Sequence, residues 1–398
     1  MTTISHVPEI DAADFERELR QHRPLVVLDT RPAEAYAEYH LDAAGADLRN
    51  VPEDLVDADP DAVVESLPAN RPLRIICTSG RSSARVAATL LEHGRDAVSV
   101  RGGLVDWSSL LVAGEVDVEG PVRIVQLRRE ARGCLSYVIA SGGEALVVDP
   151  TRDLDAYVDA ARGLGAEITR VFDTHVHADH VSGARALARR TGATLHLSAE
   201  ALRRGVVYPI QPAVDGDLLL LGAIELRVVA LPGHTTDMTG LLIGEAALVG
   251  GDSLFADSVA RPDLEDGDDG APAAARVLHR TLSDVIGPLP DDTVLLPCHY
   301  PGGRLAGPLA PTLGEVRTVV PELRLDTDAF VDHVVSELPA KPANFLAIIS
   351  QNLGTSDGRD VDVSTLELGA NRCAARSSWG DVGRAVPDAG PAPSRAGR

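Results

Sequence analysis

Three imidazoles and one carboxylate, His175, His177, Asp179 and His180, fall within six consecutive positions of the stretch Thr174-His175-Val176-His177-Ala178-Asp179-His180. Histidine and aspartate at this density point to metal binding. Further metal-competent side chains each stand at the tip of an apolar run. His234 follows Leu231-Pro232-Gly233, Asp252 follows Ala247-Leu248-Val249-Gly250-Gly251, and His299 follows Thr293-Val294-Leu295-Leu296-Pro297-Cys298. One histidine so placed is more often structural, but the recurrence at strand ends reads as one shared metal site. A second kind of chemistry is written around Cys77, which ends the run Leu73-Arg74-Ile75-Ile76 and opens the loop Thr78-Ser79-Gly80-Arg81-Ser82-Ser83. Backbone N–H groups before a helix make an anion cradle, and the same field lowers a thiol pKa. On this local pattern alone, a reactive thiolate and a buried core cysteine both stay open.

These side chains need elements to aim them. In residues 5–115, the runs Leu25 to Asp29, Leu73 to Cys77 and Ala97 to Val100 read as strands. Helix-like Ala33 to Tyr39 and an alanine-rich helix ending near His93 alternate with them, which implies an α/β unit with a parallel sheet. Small, acidic residues from Leu111 to Pro121 read as a linker, with the domain boundary at 116–121. The second unit, residues 122–310, begins with three strands, Arg123 to Leu127, Leu135 to Ala140 and Ala145 to Val148, and a helix, Asp153 to Arg162. The strand Ile168 to Phe172 feeds the histidine loop, and a helix-like Val181 to Arg190 follows it. Later strands complete a two-sheet sandwich with helices outside. Residues 311–376 read as a helical extension, with helices Thr327 to Leu338 and Phe345 to Asn352, and 377–398 as a disordered tail.

The first unit carries Asp29-Thr30-Arg31, His40, Gly45-Ala46, the Cys77 loop and Gly102-Gly103 followed by Trp107. It resembles the rhodanese (sulfurtransferase) domain over essentially its whole length. The resemblance implies that Cys77 is the nucleophile that carries a persulfide, with Arg81 and Ser82 of its loop facing the substrate. Ser82 stands where the family commonly has arginine, so a sulfur-binding or regulatory module without turnover is the other reading. From residue 122 to about 305, His-x-His-x-Asp-His, Gly-His-Thr, Gly-Asp and Pro-x-His resemble the metallo-β-lactamase superfamily, which implies an αββα sandwich.

Two reactions compete within that resemblance. In the persulfide dioxygenase family, one Fe(2+) per chain is held by the residues matching His175, His234 and Asp252. A low-molecular-weight thiol persulfide or its sulfur donor thiosulfate, with O2, would be the small-molecule partners, and glutathione is the family's usual thiol. His177, Asp179, His180 and His299 would then surround the iron without holding it. In the glyoxalase II family, all seven groups hold two metals, two Zn(2+) here, and a metal-bound hydroxide attacks a thioester. The segment Ala260-Arg261-Pro262-Asp263-Leu264 resembles the dioxygenase family's thiol-binding segment, which makes Arg261 and Asp263 substrate-binding residues. Leu338-Pro339-Ala340-Lys341-Pro342 and Ala370-Asn371-Arg372-Cys373 resemble that family's C-terminal tail. The dioxygenase, fed with sulfane sulfur through Cys77, is the favoured expectation. His6, His22, His93, His196, His279 and His333 are read as structural or exposed.

Composition narrows the partners. The 398 residues carry a formal net charge of −22, which argues against nucleic acid and anionic membrane. Lys341 is the only lysine. Acidic excess with almost no lysine suggests salt adaptation, with high-GC codon bias as the alternative. No apolar run approaches the roughly 20 residues of a membrane helix. Cys77, Cys134, Cys298 and Cys373 form no C-x-x-C pair, and the N-terminus has no signal-peptide pattern, so a cytoplasmic enzyme is expected. A homodimer stays open as the assembly.

Overall fold

The computed structural model describes residues 6–21, 24–41, 45–336, 338–342, 344–356, 362–369 and 372–375. His22, Ala370, Asn371 and the tail 377–398 lie outside them.

The first sheet has five parallel strands in the order Glu9–Ile10, Ala97–Val100, Leu73–Ile76, Val26–Asp29, Asp47–Asn50. Both faces are covered, which is why Val26–Asp29 is buried at every position. Phe15, Leu19, Leu104 and Trp107 pack on one face, and Val56, Val86 and Leu90 on the other. The sheet's C-terminal edge carries Cys77.

The second unit is a sandwich of two sheets. Seven strands run in the order Gln211–Ala213, Thr194–Ser198, Glu167–Phe172, Glu144–Val148, Cys134–Ser141, Arg123–Arg129, Val112–Val116. Five more run Leu218–Leu221, Ile224–Ala230, Thr239–Ile243, Ala247–Gly251, Val294–Pro297. Tyr137, Leu146, Phe172, Leu226, Leu241 and Leu296 fill the space between them. The helices Leu154–Gly163 and Ala184–Thr191 cover one outer face, and Gly267–Arg280 and Thr327–Ser336 the other. No helix among the described residues is long and apolar enough to cross a membrane.

The linker expectation is corrected. Val112–Val116 pairs antiparallel with Arg123–Arg129 as the edge of the seven-stranded sheet, so residues 112–116 belong to the second unit, the stretch after Val116 is a turn within that sheet, and the two units join at Leu110 and Leu111. Its exposed alternate positions gave it a polar look, as a sheet edge with one solvated face does. The helix expected from Val181 begins instead at Ala184. The N–H groups of Val181 and Ser182 are taken by the side chains of Glu367 (2.8 Å) and Asn352 (2.9 Å), which hold them out of the helix.

The two units share a seam. The turn between Arg123–Arg129 and Cys134–Ser141 presses Ala131 against the first unit's core. Tyr39 Oη donates to the Ala131 carbonyl at 3.1 Å, Arg20 pairs with Glu130, and Arg129 Nε donates to Ser108 O at 2.6 Å.

Candidate metal centre and sulfur-transfer loop

The histidine loop follows the strand Glu167–Phe172, and the sheet decides where its side chains go. Asp149, just past Glu144–Val148 on the neighbouring strand, accepts from Thr174 N (2.7 Å) and Thr174 Oγ1 (3.0 Å). Asp149 sits at φ +49°, outside the ordinary range for a side-chain-bearing residue, so the site imposes its conformation. Asp237 accepts from Val176 N at 2.8 Å and is itself paired with Arg204. Asn352 donates to the carbonyls of His177 (2.9 Å) and His180 (2.8 Å). Arg132 donates to Asp179 O at 2.7 Å. Five backbone groups of the loop, Thr174 N, Val176 N and the carbonyls of His177, Asp179 and His180, are thereby held by side chains from elsewhere, which preorganises it.

The seven residues expected at the metal site are all buried and gather in one place. They fall into two sets. His175, His234 and Asp252 bring one donor atom each within 4.8 Å of one another. His175 Nδ1 meets Thr174 Oγ1 at 3.0 Å, and His234 Nδ1 donates to the Arg261 carbonyl at 2.8 Å. That leaves the two Nε2 atoms facing Asp252 Oδ2, at 3.8 and 3.5 Å. His175 Nε2 and Asp252 Oδ2 are buried with no hydrogen-bond partner. Orphaned buried lone pairs are costly unless a cation takes them. Two imidazoles and one carboxylate converging in this way fit an octahedral divalent ion such as iron, leaving coordination positions open. Burial and the neighbouring His177 and His234 hold the His175 imidazole well below its usual pKa, so it is the neutral, ligand-competent form. Burial lowers His234 as well.

The other set is knitted to itself. His299 lies between two carboxylates, with Nδ1 at 2.5 Å from Asp252 Oδ1 and Nε2 at 2.8 Å from Asp179 Oδ2. Burial opposes a charge there, but Asp179 and Asp252 outweigh it and raise the His299 pKa well above its usual value. His180 Nδ1 stands 3.1 Å from Asp179 Oδ1. His177 turns aside: its Nε2 meets Asp149 Oδ1 at 3.1 Å, and that carboxylate, against the cost of burial, raises its pKa to about 9.

Two substrate-binding assignments are corrected. Arg261 is fully buried and its donors are spent. Nε and Nη2 grip Asp263 at 2.7 and 2.9 Å, Nη1 donates to Ala340 O and Arg372 O, and Nη2 also to Pro339 O. Arg261 and Asp263 therefore clamp the C-terminal tail over the site and, through the Arg261 carbonyl, orient His234. The tail also brings Cys373 within metal-ligand range of Asp252 and His299. Of the remaining histidines, His279 Nε2 bonds Leu325 O at 3.0 Å, a structural role. His196 is buried with neither ring nitrogen bonded, and burial lowers its pKa to about 4.

Cys77 occupies a different setting. Gly80 N donates to its sulfur at 3.1 Å, and its Sγ lies 3.4 Å from Ser83 Oγ. Burial alone would raise the thiol pKa; the hydroxyls of Ser82 and Ser83 and the amides of Ser83 and Ser79 outweigh it and bring the pKa below its usual value. Gly103 (φ +58°) lets the next loop close on this one, since a Cβ there would run into the Cys77 carbonyl. Cys77, Arg81 and Ser82 line one cleft of about 770 Å³, with Thr30, Arg31 and Arg85. Asp29 binds Arg31 through Nε and Nη2, which fixes the guanidinium at the cleft wall.

Asp149, Asp237, Glu367 and Asn352 were missed by sequence reasoning. Asp149 alone carried a signal, a carboxylate at a strand tip like Asp252. The others act over long sequence separations.

Residues 129–299 match the metallo-beta-lactamase superfamily, and residues 11–110 the rhodanese-like domain. A probable metallo-hydrolase of Burkholderia pseudomallei is 30% identical over 54% of this chain and 88% of its own length. The chain belongs to the metallo-beta-lactamase superfamily and carries an N-terminal rhodanese-like domain. Within the superfamily it is similar to two kinds of enzyme. The human mitochondrial persulfide dioxygenase ETHE1 is 26% identical over 53% of this chain and 80% of its own length. A hydroxyacylglutathione hydrolase of Polaromonas is 34% identical over 41% of this chain and 61% of its own length.

Proposed function

We propose that the chain is a persulfide dioxygenase whose rhodanese-like domain moves sulfane sulfur through Cys77. The observation that carries this reading is the contrast between the two donor sets. His175 Nε2 and Asp252 Oδ2 are buried without partners and face a common point with His234 Nε2, whereas both ring nitrogens of His299 and the Asp179 carboxylate are hydrogen-bonded, leaving only His180 Nε2 bare in that set. One iron held by His175, His234 and Asp252 would supply the redox chemistry with O2. The protein's own residues do the rest. Thr174 and the Arg261 carbonyl fix the two imidazoles, His299 holds Asp252, and the tail clamped by Arg261 excludes water from the site. In the overall reaction the terminal sulfur of a thiol persulfide leaves as sulfite, with O2 and water supplying its oxygens, and the thiol is released. At Cys77 the thiolate attacks the outer sulfur of thiosulfate, sulfite leaves, and the resulting persulfide passes its sulfur to the acceptor thiol. Glutathione is the acceptor we expect.

Anaerobic purification, metal analysis and an oxygen electrode test this. One iron per chain and O2 uptake with glutathione persulfide are expected. Two zinc ions per chain with no O2 uptake would overturn it in favour of thioester hydrolysis, which the Polaromonas similarity supports.

A further inference from the structure

We propose that Ser99 is a positioning residue for Cys77: its hydroxyl orders the Ser83 hydroxyl as a donor to the cysteine sulfur. Ser99 lies outside the Cys77 loop and does not line its cleft. The role rests on Cys77 as the sulfur carrier of the proposed function, and it adds a residue that the loop does not contain.

Ser99 stands on the strand Ala97–Val100, paired in parallel with Ile75 on one side and Glu9 on the other. Strands on both sides therefore fix its backbone. Alternation puts Ser99 on the same face as Ala97, which packs with Val86, Ala87 and Leu90 of the helix Arg81–Glu92. Ser99 is fully buried, and a hydroxyl on that apolar face is costly unless it is bonded. Among the described residues, the hydroxyl makes one hydrogen bond, and it goes to the third residue of that helix: Ser99 Oγ donates to Ser83 Oγ at 3.0 Å.

Ser83 is fully buried too, and its Oγ lies 3.4 Å from Cys77 Sγ. The neutral thiol donates to Ser83; the thiolate accepts from it. A hydroxyl has a single proton and two lone pairs. With one lone pair taken by Ser99, the Ser83 proton is left to point at the sulfur once that sulfur is a thiolate. Without Ser99, a serine in the first turn of a helix turns its proton to the carbonyl three or four residues back, here Gly80 or Ser79, and abandons the sulfur. The relay from Ser99 through Ser83 to Cys77 ties the loop thiolate to a strand inside the sheet.

The thiolate appears twice in a turnover. It attacks the outer sulfur of thiosulfate, whose S–S bond breaks as sulfite leaves with the bonding pair, and Cys77 then holds a persulfide. When the acceptor thiolate attacks the outer sulfur, the Cys77 S–S bond breaks and its electron pair returns to Sγ. The acceptor leaves as a persulfide and Cys77 as a thiolate. Ser83, held by Ser99, stabilises the charge at both points. Arg31, Arg81, Arg85, Glu34, Glu53 and Asp54 face the same cleft and are untouched by a substitution at Ser99, so a shift in the pH dependence of the thiolate isolates the hydroxyl.

Ser99→Ala, Ser83→Ala and the double variant of the full chain test this by iodoacetamide labelling of Cys77 against pH, with urea midpoints as the folding check. Ser99→Ala should move the labelling profile to higher pH and slow labelling near neutral pH about three- to tenfold. In the Ser83→Ala background it should add nothing. With thiosulfate and cyanide, kcat should fall while the thiosulfate KM stays. An unshifted profile, additive slowing in the double variant, or a raised KM with kcat kept would each overturn the proposal. Should Ser99→Ala fail to fold, the isosteric pair Ser99→Thr and Ser99→Val decides: Ser99→Thr keeps the wild-type profile and Ser99→Val shifts it, and equal profiles refute the relay. Thiosulfate consumption that survives in Cys77→Ser would instead sink the sulfur-carrier reading and leave the labelling result standing.

Discussion

Cys77 and Cys298 both follow the last residue of a parallel-paired strand, Leu73–Ile76 and Val294–Pro297, yet their surroundings push them in opposite directions. Around Cys77 the neighbours donate: Gly80 N at 3.1 Å and the serine hydroxyls and amides of its loop. Around Cys298 the closest neighbour accepts: Sγ donates to Asp149 Oδ2 at 2.6 Å. Burial, then the Asp149 and Asp252 carboxylates, raise the Cys298 pKa well above the usual thiol value. A strand tip does not make a cysteine reactive; the polarity of what converges on its sulfur does.

That contrast can be broken by experiment. Cys77→Ser should reduce cyanide-dependent thiosulfate consumption to background, while Cys298→Ser leaves it unchanged; equal loss in both would erase the distinction. Asp149→Asn should destabilise the chain by about 3–5 kcal/mol, because it removes the charged partner of buried His177 and turns an amide toward Thr174 and Cys298. Urea denaturation measures this, and an unchanged midpoint would show that Asp149 holds nothing. Iodoacetamide labelling against pH sharpens the comparison. The Cys77 pKa is lowered, so its thiolate, and fast labelling, should persist as pH falls below the ordinary thiol value of about 8.5 and disappear only lower. Cys298 should stay unlabelled across the same range. The smallest expected effect is Ser83→Ala, which removes one donor and should slow Cys77 labelling near neutral pH about tenfold, one hydrogen bond to a charged group being worth about 1.5–3 kcal/mol. An unaltered rate would assign the thiolate to the Ser82 hydroxyl and the backbone amides.

The gathering of the strand-tip side chains was legible because their signal is local: an apolar run of buried strand followed by one metal-competent side chain. The Cys77 loop was legible for the same reason. Arg261 was misread because its sequence neighbourhood shows a free cation. The carbonyls that consume it come from Pro339, Ala340 and Arg372, roughly 80 to 110 positions away. Val112–Val116 was misread because an edge strand with exposed Ala113 and Glu115 looks like a linker until its partner strand is known. The separation of His175, His234 and Asp252 from Asp179, His180 and His299, with His177 turned to Asp149, was not legible, since it depends on which lone pair each ring presents.

Glu367 carries a consequence for how the protein is made. It accepts from Val181 N and Arg129 Nη1, so the metal loop and the seam between the units share one late anchor. The anchor is 186 residues downstream of Val181. At roughly 5–20 residues per second of synthesis, the loop waits about 10–40 s on the ribosome before its acceptor exists. A chain stopped short of Glu367 would hold every metal ligand and still lack the residue that pins the turn after His180.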